Sequence, residues 1–454
     1  MIVSPAFAGK KFGVLGLARS GMATANALLA SGAQIVAWDR QEEARASLAD
    51  RAIIADPMEA DLSGWEAIVV SPGVPLNTHP LTERAKAFGV PLIGDVELFA
   101  RARQDLPPHR VVGVTGTNGK STTVALVHHL LTNAAIPARL GGNIGLPILS
   151  REPLAAGGVY VLELSSYQID LTRSLACEVA ALTNITPDHL DRYASFEDYA
   201  FSKGRLFAMQ GSGQPAIFGC SDAASEAVMR AEQARRGAEL AICAADEGLA
   251  ERQANWPALQ GPHNLQNAAI AIACVQKLGL SRAQALAGLK TFRGLSHRME
   301  VVGKANGIAF VNDSKATNPA SSAPAVAAYP PGEDGSPRVH WIVGGLAKSA
   351  ELEELEGVLG NVACAYTIGE AGPRFAELLE PHVPVERAEL MAEAVRLAIA
   401  AARPGDVVLL SPASASFDQF RDYEARGEAF RDMVTALTGM GGPRSPRMEG
   451  HSAA

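Results

Sequence analysis

The chain has 454 residues, of which 48% are hydrophobic and 19% are charged, and its formal net charge is −8. That length is too great for one hydrophobic core and predicts about three domains. The composition is that of an ordinary globular protein, and the negative charge argues against a nucleic-acid partner, which would require a basic face.

Targeting and redox signals point to a cytoplasmic protein without membrane insertion. The N-terminal segment MIVSPAFAGKKFG has its lysines after the apolar stretch, the reverse of a signal peptide. The most apolar helical run, Ala268–Val275, is far shorter than the ~20 residues that span a bilayer. The five cysteines are dispersed and form no metal-binding pair, so we expect reduced thiols in the core.

Short apolar strands alternate with helical stretches in the first block, which predicts a parallel sheet. A glycine turn, Gly16–Gly21, follows the first strand, and Asp39 and Arg40 follow the second. The turn does not fit the G-x-G-x-x-G dinucleotide pattern, but its place at a strand end still suggests a loop packed on a diphosphate. The predicted elements are strands Phe12–Leu15, Ile35–Trp38, Ala67–Val70 and Pro91–Ile93 and helix Ser20–Ala30, followed by a polar linker at 101–108.

The second block opens with strand Val111–Thr115, which runs into TGTNGKSTT at the start of a helical pattern. Glycines let backbone N–H groups approach phosphate oxygens, and the helix N-terminus adds partial positive charge. Lys120 can bridge the β- and γ-phosphates of a nucleotide while the Ser121 hydroxyl binds Mg²⁺. Val114 stands where the common pattern has glycine. The expected nucleotide contacts are Gly116, Thr117, Asn118, Gly119, Lys120, Ser121 and Thr122.

Polar residues follow two further strands of this block. Glu163 ends strand Val159–Leu162, and the segment DHLD, which contains His189, follows strand Val179–Leu182. Because carboxyl ends of parallel strands meet at one edge of a sheet, we expect Glu163 and His189 near the phosphate loop. An alanine-rich helix is predicted from about Asn264 to Leu278, with N-terminal capping as an alternative role for Asn264.

The third block contains predicted strands Ile308–Val311, Val339–Val343, Ala365–Ile368 and Val407–Leu410, with an amphipathic helix at Leu390–Ala402. The chain ends in a Gly/Pro/Ser-rich tail, which predicts disorder from 441 onward.

The loop TGTNGKST, Asn143 in GGNIG, the DHLDRY segment, Lys203 and the GPHNLQN segment together resemble the Mur ligase family. The resemblance implies catalytic roles for Lys120, Asn143, His189 and Lys203, and carbamylation of Lys203. It implies two Mg²⁺ ions, one bound by Ser121 and Glu163 and the other by His189 and Lys203, since Mg²⁺ prefers oxygen ligands. It also implies ATP contacts by Asn264, Asn267, Arg298, Asp313 and Lys315.

The two ends of the chain resemble the D-glutamate-adding branch of this family. The implied contacts with the UDP-linked substrate are Leu17, Ala18, Arg19, Asp39, Arg40, Ser71, Gly73 and Asn143. The implied contacts with the amino acid are Thr317, Lys348, Ser416, Phe417 and Tyr423. Phe417 and Tyr423 depart from the leucine and phenylalanine that are common at those positions, and both keep an apolar surface.

The resemblance covers about residues 10 to 440 and implies an α/β fold of three domains. These are a Rossmann-like N-terminal domain (1–106), a central P-loop ATPase-like domain with a parallel sheet (107–293) and a Rossmann-like C-terminal domain (294–440), followed by the tail (441–454). The implied activity is ATP-dependent addition of D-glutamate to UDP-N-acetylmuramoyl-L-alanine through an acyl phosphate, in the cytoplasmic stage of peptidoglycan precursor synthesis. We expect a monomer.

Alternative functions each explain a part of the chain. A folylpolyglutamate synthetase or another amino-acid-adding Mur ligase would share the second and third blocks. A regulatory P-loop NTPase would explain the phosphate loop but not Asn143, His189 and Lys203. A nicotinamide dehydrogenase would explain only the first block.

Overall fold

The computed structural model describes residues 1–188, 192–245, 248–347 and 353–439. These residues form three sheets and divide into two compact units. The first unit contains Met1–Ala245 and Asn267–Gly288. The second contains residues 248–266 and the described residues from Leu289 onward.

The first sheet is parallel, with strand order β3-β2-β1-β4-β5. Its strands are β1 (Lys11–Leu15), β2 (Gln34–Trp38), β3 (Ile53–Ile54), β4 (Ala67–Val70) and β5 (Leu92–Ile93). The helices that accompany them are α1 (Arg19–Ala30), α2 (Glu42–Ala46), α3 (Leu81–Ala87) and α4 (Asp95–Ala102). The strand order reverses between β1 and β4, which places their carboxyl ends on either side of a crevice.

The second sheet is also parallel, with strand order β11-β10-β9-β6-β8-β7. Its strands are β6 (His109–Thr115), β7 (Ala138–Gly142), β8 (Gly158–Glu163), β9 (Val179–Leu182), β10 (Ala216–Phe218) and β11 (Ala241–Cys243). Its helices are α5 (Lys120–Asn133), α6 (Ser166–Asp170), α7 (Phe196–Ala208), α8 (Ala223–Arg236), α9 (Pro262–Lys277) and α10 (Arg282–Leu289). Every residue of β8 and β9 is buried, as expected for parallel strands covered on both faces.

The segment predicted as a linker after the first sheet is ordered. Helix α4 continues through Ala102 into a 3₁₀ turn at Arg103–Asp105. The guanidinium of Arg103 pairs with Glu178 at 2.9 Å. The buried Glu97 accepts hydrogen bonds from the backbone N–H groups of Arg173 at 2.7 Å and Ser174 at 2.9 Å. The first two sheets therefore belong to one packed unit.

The third sheet has strand order β12-β13-β17-β14-β15-β16. Its strands are β12 (Glu300–Ala305), β13 (Ile308–Asn312), β14 (Val339–Gly344), β15 (Val362–Ile368), β16 (Val385–Glu389) and β17 (Val407–Leu410). Its helices are α11 (Pro319–Ala327), α12 (Gly372–Leu379), α13 (Met391–Ala401) and α14 (Tyr423–Thr438). The edge pair β12–β13 is antiparallel, whereas the other strand pairs are parallel.

The cysteines depart from the expectation of five reduced thiols. Cys220 and Cys243 form a disulfide, with their Cα atoms 6.1 Å apart. Strands β10 and β11 are neighbours, so residues 23 positions apart in sequence meet at one edge, a pairing that spacing alone does not reveal. Cys177 and Cys274 are buried and free, as expected. Within the described ranges, we find no helix long and apolar enough to cross a membrane.

Candidate functional site

A glycine loop joins β6 to α5 at the carboxyl edge of the second sheet, and we call it the phosphate loop after its predicted role. Gly116 and Gly119 have φ values of +146° and +83°, which side chains rarely tolerate. Gly116 lies against Thr183, and Gly119 lies against the Asn267 side chain, so neither position has space for a Cβ atom. The N-terminus of α5, which begins at Lys120, adjoins the loop, and a helix N-terminus offers backbone N–H donors and partial positive charge.

The Lys120 side chain folds back over this loop. Its ammonium donates hydrogen bonds to the carbonyl oxygens of Gly116 at 2.9 Å and Thr117 at 2.7 Å. These contacts hold the charge beside the backbone groups that would surround a phosphate. Two more residues predicted to contact nucleotide lie close by in sequence. Asn118 is in the same loop, and Thr122 is in the first turn of α5.

A chain of polar side chains, two of them buried, links the loop to the ends of β7 and β8. The Ser121 hydroxyl donates to Glu163 Oε2 at 2.5 Å, and Asn143 Nδ2 donates to Glu163 Oε1 at 3.0 Å. Glu163 is buried, and both of these partners are neutral groups. A buried carboxylate beside a hydroxyl is an oxygen donor set of the kind that Mg²⁺ prefers, so these residues fit a magnesium ion.

Lys203 of α7 also contacts this loop. Its side chain is 1% exposed, and its Nζ donates to the Gly116 carbonyl at 2.8 Å. Burial lowers the pKa of Lys203 well below its usual value, and the charge of Lys120 lowers it further. The predicted partner His189 lies outside the described residues.

Several residues that support the loop were not predicted from the sequence. Asn184 accepts from the Asn118 N–H at 2.8 Å through its side chain and from the Thr117 N–H at 2.8 Å through its carbonyl. The Tyr199 hydroxyl lies 3.0 Å from the Thr117 hydroxyl. The position of Asn184 just after β9 was a usable signal, because β6 and β9 are neighbours in the sheet.

The two asparagines of the GPHNLQN segment predicted to contact ATP occupy different environments on α9. The Asn267 side chain accepts from the Thr123 hydroxyl at 3.3 Å beneath the phosphate loop. Asn264 donates to the Gln260 carbonyl at 3.0 Å. Because α9 begins at Pro262, Asn264 lies in the first turn and is not the residue that caps the helix.

A second cluster lies at the crevice of the first sheet. The Leu17 N–H donates to Asp39 Oδ2 at 2.6 Å, which joins the loop after β1 to the end of β2. The Ser71 hydroxyl donates to the Gly16 carbonyl at 2.9 Å, which joins the same loop to the end of β4. Gly16 has a φ of +87° and no space for a side chain. The structure thus brings together three of the segments predicted to bind the UDP-linked substrate.

The remaining predicted residues of this cluster lie around it. Arg19 begins α1 and donates to the Gly145 carbonyl at 3.1 Å, close in sequence to Asn143. Ala18 precedes α1, and Gly73 follows β4. Arg40 follows Asp39, and its carbonyl accepts from Arg45 at 3.1 Å.

A third cluster is formed by the strand ends of the third sheet. Asp313 follows β13, and its carboxyl accepts from the Ser411 hydroxyl at 2.9 Å and from the Met299 N–H at 3.2 Å. Burial raises the pKa of Asp313 to about 7. The Lys315 ammonium lies 3.8 Å from the centre of the Tyr423 ring. Arg298 precedes β12 in the same unit.

The predicted amino-acid contacts are only partly described. Thr317 is half-buried before α11, Ser416 is buried, and the Phe417 side chain is 69% exposed. The Tyr423 hydroxyl donates to Glu424 at 2.9 Å. Lys348 lies outside the described residues.

Arg426 of α14 joins these loops and was not predicted. Its guanidinium donates to the carbonyl oxygens of Ser314 at 2.8 Å, Ser414 at 3.0 Å and Ala415 at 3.1 Å. It also donates to the Ser314 hydroxyl at 3.0 Å. A buried arginine therefore fixes the segments that contain Lys315 and Ser416.

Two family models match the chain. The Mur ligase middle domain matches residues 114–254, and the Mur ligase glutamate ligase domain matches residues 297–414. The first match contains the phosphate loop, and the second contains the loops after β13 and β14.

Curated relatives extend the similarity over nearly the whole chain. UDP-N-acetylmuramoylalanine–D-glutamate ligase from Novosphingobium aromaticivorans is 60% identical over 96% of this chain and 97% of the relative. The enzyme of the same name from Sphingopyxis alaskensis is 57% identical over 96% of this chain and all of the relative (100%). Among solved structures, a MurF ligase from Thermotoga maritima in complex with ADP has a TM-score of 0.61 and 16% identity, covering 95% of each chain. At that identity the likeness concerns the fold.

Proposed function

The chain belongs to the Mur ligase family, and we propose that it joins D-glutamate to UDP-N-acetylmuramoyl-L-alanine while ATP is converted to ADP and phosphate. The observation that supports the proposal is the hydrogen-bonded chain Ser121–Glu163–Asn143, because it offers oxygen donors for a cation beside the loop expected to bind nucleotide phosphates. The identity of the substrates rests on the two relatives, which carry the name of this ligase.

The proposed chemistry has two steps that balance. A carboxylate oxygen of the alanyl group attacks the γ-phosphorus of ATP, the bond from that phosphorus to the bridging oxygen breaks, and ADP leaves. The amine nitrogen of D-glutamate then attacks the acyl carbon, loses its excess protons, and phosphate leaves with the oxygen that came from the carboxylate. Activation is required because a carboxylate oxygen is a poor leaving group in water.

The phosphate loop contributes mainly charge neutralisation and positioning, which is most of what phosphoryl transfer needs. Lys120 would contact the β- and γ-phosphates, and the glycine backbone would hold their oxygens. Ser121 and Glu163 would hold one Mg²⁺, which supplies further neutralisation of phosphate charge. Asn143 is hydrogen-bonded to Glu163 and would orient both that carboxylate and the acceptor.

Lys203 is proposed to carry a carbamate. A lysine attacks carbon dioxide only as the neutral amine, and burial favours that form here. The resulting anion would supply oxygen ligands for a second Mg²⁺ together with His189. Its buried position beside the Gly116 carbonyl supports this role over that of a solvated surface lysine.

The other two clusters supply the remaining substrates. The glycine loop and Asp39 at the crevice of the first sheet would hold the UDP group, in keeping with a Rossmann-like N-terminal domain. The loops around Ser416 and Tyr423 would hold D-glutamate, and Arg298, Asp313 and Lys315 would contact ATP. The proposed setting is cytoplasmic peptidoglycan precursor synthesis by a monomer.

The proposal is tested by product formation in matched mixtures. Incubation with ATP, Mg²⁺, UDP-N-acetylmuramoyl-L-alanine and D-glutamate should yield the dipeptide-linked product by mass spectrometry, and omission of any component should prevent it. Lys120→Ala should abolish the product while retaining calorimetric binding of the UDP-linked substrate, because the two sites are on different sheets. Product from L-glutamate at an equal rate would refute the assigned specificity.

A further inference from the structure

The backbone around Arg298 has an uncommon conformation. Its two neighbours, His297 and Met299, have φ values of +61° and +46°, in the left-handed region that residues with side chains rarely adopt. Left-handed residues on both sides of one arginine are kept only when surrounding contacts specify them. We define this segment, residues 297–299, as the arginine turn.

Each residue of the arginine turn donates a hydrogen bond from its backbone N–H group. The His297 N–H donates to Glu300 Oε2 at 2.9 Å, and the Met299 N–H donates to Asp313 Oδ1 at 3.2 Å. The Arg298 N–H donates to the Leu295 carbonyl at 3.2 Å. In return, the His297 carbonyl accepts from the Lys315 N–H at 3.0 Å, so the turn and the Lys315 segment are fixed together.

The His297 ring anchors the turn on helix α14. Its Nδ1 lies 3.0 Å from Asn312 Nδ2, which also donates to the Gly427 carbonyl at 3.0 Å. The ring packs directly on Gly427, where an added Cβ atom would collide with it. Glycine at this place in α14 is therefore explained by the close approach of the turn.

Arg431 lies one turn after Gly427 in α14 and holds the arginine turn through the Glu300 carboxylate. Its Nη2 donates to Glu300 Oε1 at 2.6 Å, while the other oxygen of that carboxylate binds the His297 N–H. Glu300 is 2% exposed, so Arg431 supplies the charge that a buried carboxylate requires. The second Arg431 contact, to Glu428 at 2.6 Å, fixes the guanidinium on the helix.

We propose that Arg431 and Glu300 are positioning residues that hold the arginine turn in its left-handed conformation, and so present Arg298 to the triphosphate of ATP. The identity of that ligand rests on the proposed function, whereas the contacts that hold the turn do not. Arg431 and Glu300 act only through other residues and touch no substrate.

The test is a double-mutant cycle read by calorimetric titration of a non-hydrolysable ATP analogue, which needs no turnover. Arg431→Met should weaken binding about tenfold when Arg298 is present, a loss of about 1.4 kcal/mol, and less than about twofold in the Arg298→Ala background. Arg431→Lys, which keeps a cation near Glu300, should restore most of the loss. Equal losses in both backgrounds, or no loss in either, would overturn the proposal.

A matched control and a second measurement separate this proposal from the proposed function. Arg396→Met removes an exposed ion pair of the same length, 2.6 Å to Glu393 on α13, and should change nothing. Hydrogen exchange of residues 295–300 should accelerate in Arg431→Met and not in Arg396→Met. If the unaltered protein binds no ATP analogue, the proposed function fails, and hydrogen exchange still decides whether Arg431 holds the turn. Unchanged exchange would overturn it.

Discussion

Lys203 lies in an environment unlike that of an ordinary lysine. Lysines are rarely buried, yet this one is 1% exposed and lies near Lys120. Both burial and the neighbouring positive charge favour the neutral amine. This environment supports the proposal that Lys203 is carbamylated.

We predict that Lys203→Arg is as inactive as Lys203→Ala, because a guanidinium keeps its positive charge and cannot become an anionic ligand. Both variants should be at least about 100-fold slower than the unaltered chain, the upper range for disturbed metal sites. Initial rates of phosphate release measure this, with Lys277→Arg on exposed α9 surface as the matched control. An arginine variant with a near-normal rate would return Lys203 to a structural role.

Asp313 should make the folded chain less stable as pH rises from acid towards neutral. Its pKa is raised from 3.8 to about 7 by burial, so between those values the folded chain binds one proton more than the unfolded chain. Stability therefore falls as pH rises through this window. Asp313→Asn removes this contribution.

The prediction concerns the difference in melting temperature between the two proteins. From pH 5 to pH 7, Tm of the unaltered chain should fall by roughly 2–8 °C relative to Asp313→Asn. Asp432→Asn, at an exposed position of α14, is the control and should track the unaltered chain. A constant difference across this range would mean that Asp313 stays ionised when folded.

At the residue scale, site residues could be predicted where they follow strands whose parallel arrangement was itself predicted. Ser121, Glu163 and Asn143 were predicted to share one site, and the structure brings them within hydrogen-bonding distance. Arg426 was not predicted, because its acceptors lie up to 112 positions away and all but the Ser314 hydroxyl are backbone carbonyls with no side-chain signature. Its surroundings depend on how β13, β14 and β17 are ordered.

At the element scale, the strand–loop–helix unit from β6 to α5 depends on Gly119. This residue has a φ of +83°, and an added Cβ atom would collide with the Asn267 side chain. Gly119→Ala should therefore weaken binding of an ATP analogue at least about tenfold, because the loop must move away from its phosphate-binding form. Titration calorimetry measures this effect.

The control for that variant is Gly213→Ala, which changes a glycine in open space within the same unit. It should bind the analogue as the unaltered chain does. Normal binding by Gly119→Ala would show that the loop tolerates a side chain and would weaken its assignment to phosphate.

Fully buried apolar strands were predicted well, whereas the partly exposed strand β12 was missed. Strands β4, β9 and β17 begin and end where the sequence predicted, because each is a buried apolar run bounded by polar residues or proline. The antiparallel strand β12 was missed because it is only partly buried and carries a lysine. A hairpin signal was present, since Asn306 and Gly307, with φ values of +52° and +79°, form the turn before β13.

At the scale of the whole molecule, the three sheets correspond to the three blocks read from the sequence. The packing of Glu97 against residues 173 and 174 joins the first two sheets into one unit, a contact between distant segments that no local pattern announces. The proposed domain boundaries at 106 and 293 remain predictions. We propose that the acceptor binds at the first sheet of this unit and ATP at the second.

The central claim is that phosphate is transferred to the acceptor carboxylate before the amide bond forms. UDP-N-acetylmuramoyl-L-alanine labelled with ¹⁸O in both carboxylate oxygens tests it in a single turnover with ATP and D-glutamate. Mass spectrometry should find one labelled oxygen in the released phosphate and one in the amide carbonyl of the product. Label released into water, with unlabelled phosphate, would contradict the account.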